Sequence, residues 1–196
     1  MTPELYLITP AEADAADFGS RLMAVLSTSP AAAILVRRAS FDEAAYARIA
    51  SQVVNIGQGA GAAVLIEDDV ALARRLRADG VHVTAGLESA REAVSALKPD
   101  FIVGAGNVRT RHDAMSFGEL GIDYLLFGPL GGETDPKATE LAEWWAETFE
   151  IPAVLSDPGA TGLDAAGAEF LALSTSLWSA PAPAEALRTM LAGAPA

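Results

Sequence analysis

Cysteine is absent from the 196 residues, which rules out disulfides and thiolate chemistry and leaves no redox compartment to be read. Cations are scarce: 13 Lys and Arg stand against 26 Asp and Glu, for a formal charge of −13. A nucleic-acid surface relies on clustered Lys and Arg facing phosphates, so nucleic acid is excluded as a general partner, whereas a local basic group still suits a small anion. No uninterrupted apolar stretch reaches the ~18 residues of a membrane span. The N-terminus enters its first apolar run without the basic segment and apolar core of a secretory signal. Together these absences predict a cytoplasmic protein with no membrane partner. No G-x-G-x-x-G turn follows the first apolar run, which disfavours a dinucleotide-binding open sheet.

What the chain does have is alternation. Eight short apolar runs recur: Leu5–Thr9, Ala33–Arg37, Ala63–Glu67, Gly80–Thr84, Asp100–Gly104, Ile122–Gly128, Ala153–Ser156 and Phe170–Ser174. Each is continuously apolar rather than alternating, as parallel strands covered on both faces should be. Between them, segments such as Asp42–Ile56, Asp68–Ala78, Ser89–Leu97, Arg111–Leu120, Ala138–Phe149 and Ala184–Leu191 carry Ala, Leu, Glu and Arg at helical spacing. Strand and crossover helix repeated eight times predict one (β/α)8 TIM barrel spanning residues 1–196 as a single domain. Residues 180–196 read as an Ala/Pro-rich last helix and tail, with Ala180-Pro181-Ala182-Pro183 as linker. The chain is slightly shorter than most such barrels, so its loops should be short. Ala-rich outer helices suit either pairing between subunits, giving a homo-oligomer, or simple packing on the barrel.

Barrel enzymes place their chemistry at the C-terminal ends of the strands, so the residues there are the candidates. Glu67, Asp68 and Asp69 follow the third run and fit Mg²⁺, which takes one or two carboxylates and fills its shell with water and phosphate oxygens. The same residues also read as an N-terminal helix cap. Ser174, Thr175 and Ser176 follow the eighth run, where barrels often hold phosphate, and hydroxyls there serve equally as caps. Gly131 and Gly132 allow close backbone approach to an anion, and Lys137 can add a charge. Arg37, Asn107, Arg109 and Thr134 complete the polar set at this end. His82 lies between two valines and reads as a core or helix-facing imidazole rather than a base.

Two blocks resemble the thiamine phosphate synthase family, whose barrel is shared by the thiazole tautomerases. Leu65-Ile66-Glu67-Asp68-Asp69-Val70-Ala71-Leu72-Ala73, followed by Ala78-Asp79-Gly80-Val81-His82-Val83, is similar to the family's L-I-N-D-x-x-x-L-A and A-D-G-V-H-L. Gly121-Ile122-Asp123-Tyr124-Leu125-Leu126-Phe127-Gly128-Pro129 is similar to its G-A-D-Y-x-x-F-G-P. The resemblance implies a transferase that joins an aminopyrimidine pyrophosphate to a thiazole phosphate, with Mg²⁺ on the pyrophosphate and small phosphorylated heterocycles as partners. It implies that Arg37 is the arginine of the family's Q-x-R-x-K, Asp68 the metal aspartate with Glu67 beside it, Lys137 the lysine of the T-x-T-K loop, and Ser174 the serine closing strand eight. Asn107, Arg109, Thr134 and Thr175 join these as expected substrate or phosphate contacts, and Arg37 and Lys137 as the expected catalytic cations.

The departures fall at functional positions. Leu35 and Ala39 stand where the family has the glutamine and lysine, and Glu67 where it has asparagine. Thr84-Ala85-Gly86-Leu87 replaces the G-Q-E-D that carries a second metal aspartate; Glu88 could substitute only with a shifted loop. Ser156-Asp157-Pro158-Gly159 replaces a Gly-Gly phosphate turn, and Arg109 stands in place of the tautomerase histidine, which argues against tautomerase chemistry. Two readings follow: a divergent synthase, or a degenerate homologue that binds a phosphorylated thiamine intermediate or a protein partner without catalysis.

Overall fold

A computed structural model describes residues 3–13 and 15–193, without the side chains of 15 and 16; residues 194–196 of the expected tail lie outside it. Eight parallel strands close into a barrel in sequence order: β1 (Glu4–Ile8), β2 (Ala33–Val36), β3 (Ala63–Glu67), β4 (Gly80–Val83), β5 (Ile102–Ala105), β6 (Tyr124–Phe127), β7 (Ala153–Ser156) and β8 (Phe170–Leu173). Closure comes from β8, which pairs with β7 through Leu155↔Leu171 and with β1 through Leu5↔Leu171.

The continuous apolar runs have a simple cause. Successive side chains on a strand point to opposite faces, and here both faces are buried. Tyr6, Ile8, Leu35, Leu65, Tyr124, Leu126, Val154 and Ala172 fill the barrel interior as one cluster. Their neighbours Leu7, Ile34, Val64, Ile66, Leu125, Phe127, Leu171 and Leu173 face the helices in a second, larger cluster. Burying each such aliphatic side chain stabilises the fold by about 1.5–3 kcal/mol.

The helices are α1 (Ala15–Leu26), α2 (Glu43–Gly59), α3 (Val70–Leu76), α4 (Leu87–Leu97), α5 (Arg111–Gly118), α6 (Pro136–Thr148), α7 (Thr175–Trp178) and α8 (Pro183–Ala192). Starts are set by side-chain caps: Asp42 accepts from the Ala45 N–H, Asp69 from Leu72, and Thr110 and Asp113 form a reciprocal capping box. The expected Asp68–Ala78 helix is thus shortened, because Asp69 caps its start and Arg77 turns left-handed at its end. On α6, Trp145 is fully buried, stacks on Phe149 at 4.1 Å and donates its indole N–H to the Ile151 carbonyl at 2.8 Å.

The barrel departs from a regular βα repeat at one place. Among the described residues, the crossover between β7 and β8 contains no helix, and the short α7 comes after β8 instead. Pro158, Gly159, Gly162 and Gly167 crowd that crossover, and proline and glycine are the poorest helix formers. No described helix is long and apolar enough to cross a membrane.

Candidate active site

Polar groups at the C-terminal mouth are positioned by the strand ends. Thr9, just past β1, accepts the Arg37 N–H on its hydroxyl at 2.9 Å, tying the end of β1 to the residue after β2. Tyr46 on α2 does the same for β2 and β3: its hydroxyl reaches the Val36 carbonyl at 2.9 Å and accepts the Glu67 N–H at 3.0 Å. Such groups fix where Arg37 and Glu67 stand, but no local sequence signal marks Tyr46, since its role depends on helix α2 packing over two strands.

The acidic trio divides. Asp69 caps α3 and pairs with Arg38 at 3.5 Å, so the cap reading belongs to this residue. Glu67 and Asp68 instead meet at Thr84, whose hydroxyl donates to Glu67 at 3.3 Å and also to Asp68, while the Thr84 N–H donates to Asp68 at 2.8 Å. Glu67 further accepts the Arg38 N–H at 2.6 Å. Burial pushes the Glu67 carboxyl above its usual range and the Asp68 charge adds to this, against the pull of the Arg38 N–H, the Arg37 charge and the Thr84 hydroxyl. Asp68 has φ +50° and Asn107 +60°, a left-handed conformation that Asp and Asn tolerate best and that tends to mark functional positions. Glu88, in the first turn of α4, is exposed and pairs with Arg91 at 3.5 Å, so it does not replace the missing aspartate.

Among the described residues no three His, Cys, Asp or Glu side chains converge on a point able to hold a metal by themselves. Two adjacent carboxylates suffice for Mg²⁺ only if water and substrate phosphates complete its shell. The Glu67–Asp68 pair is compatible with that mode of binding and not with a metal caged by protein alone.

The remaining candidates sort into two clefts on the same mouth. A cleft of about 390 Å³ is lined by Thr9, Arg37, Gly131, Gly132, Ser174 and Thr175 among others. Ser174 is buried there and its hydroxyl has no hydrogen-bond partner among the described residues, an arrangement that a ligand acceptor would satisfy. Thr175 accepts the Gly132 N–H at 2.9 Å and keeps its own proton to donate. A second cleft, about 600 Å³, is lined by Asn107, Arg109 and Lys137 beside Gly128 and Pro129. Asn107 lies within 3.4 Å of the Thr84 carbonyl, which connects this second cleft to the carboxylate pair. Arg37 and Ser174 therefore share one cleft, and Lys137 lies in the other with Asn107 and Arg109. Thr134 faces neither, its hydroxyl donating to Asp157. Arg21 of α1, which the sequence does not single out, also lines the first cleft and donates to the Trp178 and Ala180 carbonyls.

The description of a family named thiamine monophosphate synthase matches residues 5–161. The chain belongs to that family. A thiamine-phosphate synthase of Hyphomonas neptunium is 36% identical over 199 residues, covering 94% of this chain and 90% of the relative. One from Erythrobacter litoralis is 34% identical over 189 residues, covering 90% and 88%. Among solved structures, a thiamine phosphate pyrophosphorylase from Pyrococcus furiosus superposes with a TM-score of 0.78 at 21% identity, covering 97% of this chain and 95% of that one, which supports the barrel fold. The protein is thus thiamine-phosphate-synthase-like over most of its length. Against the family pattern, Leu35 is fully buried in the barrel interior, so the family's glutamine has been replaced by core packing rather than by another polar group.

Beneath the mouth runs a polar thread. The hydroxyls of Tyr6 and Tyr124 lie 2.8 Å apart, and Tyr124 in turn reaches His82 Nδ1 at 2.8 Å with the two rings stacked. Of the core and helix-facing placements, His82 takes the first, buried against Tyr124 inside the barrel. Burial holds its pKa down to about 4. Between that value and the ordinary 6.5, the unfolded chain binds a proton that the folded one does not, so His82 lets stability rise with pH through this window and takes it away as pH falls. Denaturant unfolding at pH 6.5 and 4.5 should show His82 removing about 2–3 kcal/mol. The His82→Gln variant should lose less over the same interval, and an equal loss would remove His82 as the cause.

Proposed function

We propose that the protein condenses an aminopyrimidine pyrophosphate with a thiazole phosphate and releases pyrophosphate, and that each cleft receives one of the two anions. The observation that carries this reading is the separation of cationic side chains into two clefts on one barrel mouth, as a reaction between two phosphorylated substrates requires. Arg109 and Lys137 share a cleft with Asn107, which alone reaches the Glu67–Asp68 pair through Thr84, and this grouping suits the more highly charged pyrophosphate. Arg37, Ser174 and Thr175 offer a guanidinium and two hydroxyls, beside an Arg21 guanidinium that donates to the Trp178 and Ala180 carbonyls, which suits a monophosphate. The Arg37 charge also favours the ionised form of Glu67, which couples the smaller cleft to the carboxylate pair.

The chemistry needs little acid or base catalysis. A carbon–oxygen bond of the pyrimidine methylene breaks, the electron pair leaves with pyrophosphate, and the thiazole nitrogen supplies the pair for the new carbon–nitrogen bond. The barrier is lowered chiefly by stabilising the departing anion, and fixed cations and hydrogen-bond donors do this best in a site shielded from water. Lys137 places a point charge and Arg109 a planar fork beside the leaving group, while Arg37 and Ser174 hold the thiazole phosphate so that the nitrogen faces the reacting carbon. Glu67 and Asp68 would hold Mg²⁺, which when bound neutralises pyrophosphate charge.

Mass spectrometry after incubation with both substrates and Mg²⁺ tests the proposal. Metal-dependent thiamine phosphate is expected from the native protein. Asp68→Ala should abolish the metal dependence, whereas Asp69→Ala should cost about 1 kcal/mol of stability through loss of the α3 cap and leave it intact. A second reading, binding without catalysis, is favoured by Leu35 and Ala39 at positions where the family has glutamine and lysine. Well-folded protein that binds inorganic phosphate but forms no product would establish it.

A further inference from the structure

Asp157 stands where the family has a Gly-Gly phosphate turn, and a carboxylate facing a phosphate would weaken its binding. The structure turns that carboxylate elsewhere. Its Oδ1 accepts the Thr134 hydroxyl and, at 3.1 Å, the Gly159 N–H. Neither Asp157 nor Thr134 is among the residues lining the two clefts. The contact also needs Gly159, because a Cβ there would lie 2.6 Å from the Thr134 hydroxyl oxygen.

Thr134 belongs to the loop joining β6 to α6, and this loop is anchored at three points. The Ser156 hydroxyl at the end of β7 donates to the Pro129 carbonyl at 2.6 Å, the Gly132 N–H donates to the Thr175 hydroxyl at 2.9 Å, and Thr134 donates to Asp157. Between the first two anchors, Gly131 lies against Arg37 so closely that a Cβ would sit 2.6 Å from its Nη1. Loop position therefore sets the space left to the Arg37 guanidinium and the placement of Thr175. Both groups line the smaller cleft.

We infer that Asp157 is a positioning residue for that cleft: by clasping Thr134 it fixes the Gly131-Gly132 segment, and through it Arg37 and Thr175, in the geometry that receives the thiazole phosphate. This inference rests on the synthase reading for the identity of the substrate, but not for the clasp itself. Its carboxylate works as a hydrogen-bond acceptor aimed away from the anion. An asparagine, which keeps an Oδ1 acceptor, should serve nearly as well.

Titration calorimetry with inorganic phosphate, paired with steady-state kinetics, tests this on the native protein, Asp157→Asn, Asp157→Ala and Thr134→Val. Asp157→Ala and Thr134→Val should weaken phosphate binding and raise the KM for thiazole phosphate about tenfold, with kcat and the KM for the pyrimidine substrate within about twofold. Asp157→Asn should stay within about twofold in every parameter. A mere stability defect would not spare kcat and the second KM while being rescued by asparagine. If Asp157→Ala fails to fold, Thr134→Val, which removes only the donor, carries the comparison. Tighter phosphate binding in both Asp157 variants would reveal a repelling charge and overturn the inference, as would an asparagine variant as impaired as the alanine. Native protein that forms no thiamine phosphate, yet shows this order of phosphate affinities, would overturn the synthase reading and leave the clasp standing. Normal turnover with unchanged KM in all variants would do the reverse.

Discussion

Arg37→Ala is expected to lower kcat/KM by two to three orders of magnitude, or about 3–4 kcal/mol, the combined scale of losing the thiazole phosphate's charged anchor and the alignment it gives the attacking nitrogen. The size of the effect follows from the two neighbourhoods that Arg37 serves. It lines the smaller cleft with Ser174 and Thr175, and its charge opposes the upward shift of the Glu67 carboxyl. Without it, the phosphate loses the Arg37 guanidinium and Glu67 loses a compensating charge, making that buried carboxyl harder to keep ionised. Arg37→Lys should recover part of the loss but not all, because an ammonium supplies a point charge without the planar fork. The Thr9 hydroxyl accepts the Arg37 backbone N–H, so the end of the strand should keep its shape in both variants. Steady-state kinetics with a thermal-melt control reads this directly. Activity of the alanine variant within about fivefold of native would remove Arg37 from the machinery.

The largest effect on stability should come from Trp145→Ala. The side chain is fully buried, stacks on Phe149, meets Phe127 on the outer face of β6 at a ring separation of 6.0 Å, and gives its N–H to the Ile151 carbonyl at the entry to β7. Truncation removes the contacts, opens a cavity and strips a carbonyl of its partner, for an expected cost of about 3–5 kcal/mol. In a domain of this size that corresponds to a melting-point drop of roughly 10 °C. Trp145→Phe keeps most of the ring contact and should lose only about 1–2 kcal/mol, chiefly the hydrogen bond. Calorimetry comparing the three proteins would show the order. An alanine variant melting within 2–3 °C of native would mean that α6 does not anchor the β6–β7 wall as described.

The fold was legible because its signal is redundant. Eight apolar runs of the right length, each buried on both faces, define the strands even where a single boundary is ambiguous, and the runs built on Leu5, Ile34, Val64, Leu125 and Leu171 all became barrel strands. Helix boundaries were less legible, since Asp68 and Asp69 are equivalent as caps in sequence, and only the left-handed turn at Asp68 assigns the cap to its neighbour. Motif identities around Glu67-Asp68 and Tyr124–Pro129 carried the family, because they combine residues fixed by packing with residues at the mouth. What sequence could not give is which candidates share a space. Lys137 and Ser174 each follow a strand end, yet they line different clefts, and that partition depends on the path of the β6–α6 loop. Asp157 shows the same limit: its charge predicts a conflict with phosphate, and only the Thr134 and Gly159 contacts show the carboxylate turned aside.

The pairing of β8 with both β1 and β7 has a consequence for synthesis on the ribosome. β1 emerges first, but its second edge stays open until residues 170–173 arrive, some 165 positions later. Domains acquire structure as they are translated, whereas contacts of such long sequence separation are the slowest to form. The nascent chain therefore carries two unpaired edges for nearly its whole elongation, each a template for another copy of itself. A polypeptide stalled after β7 would be a curved seven-stranded sheet with an exposed interior, and such fragments should be found with chaperones or in aggregates rather than as soluble intermediates.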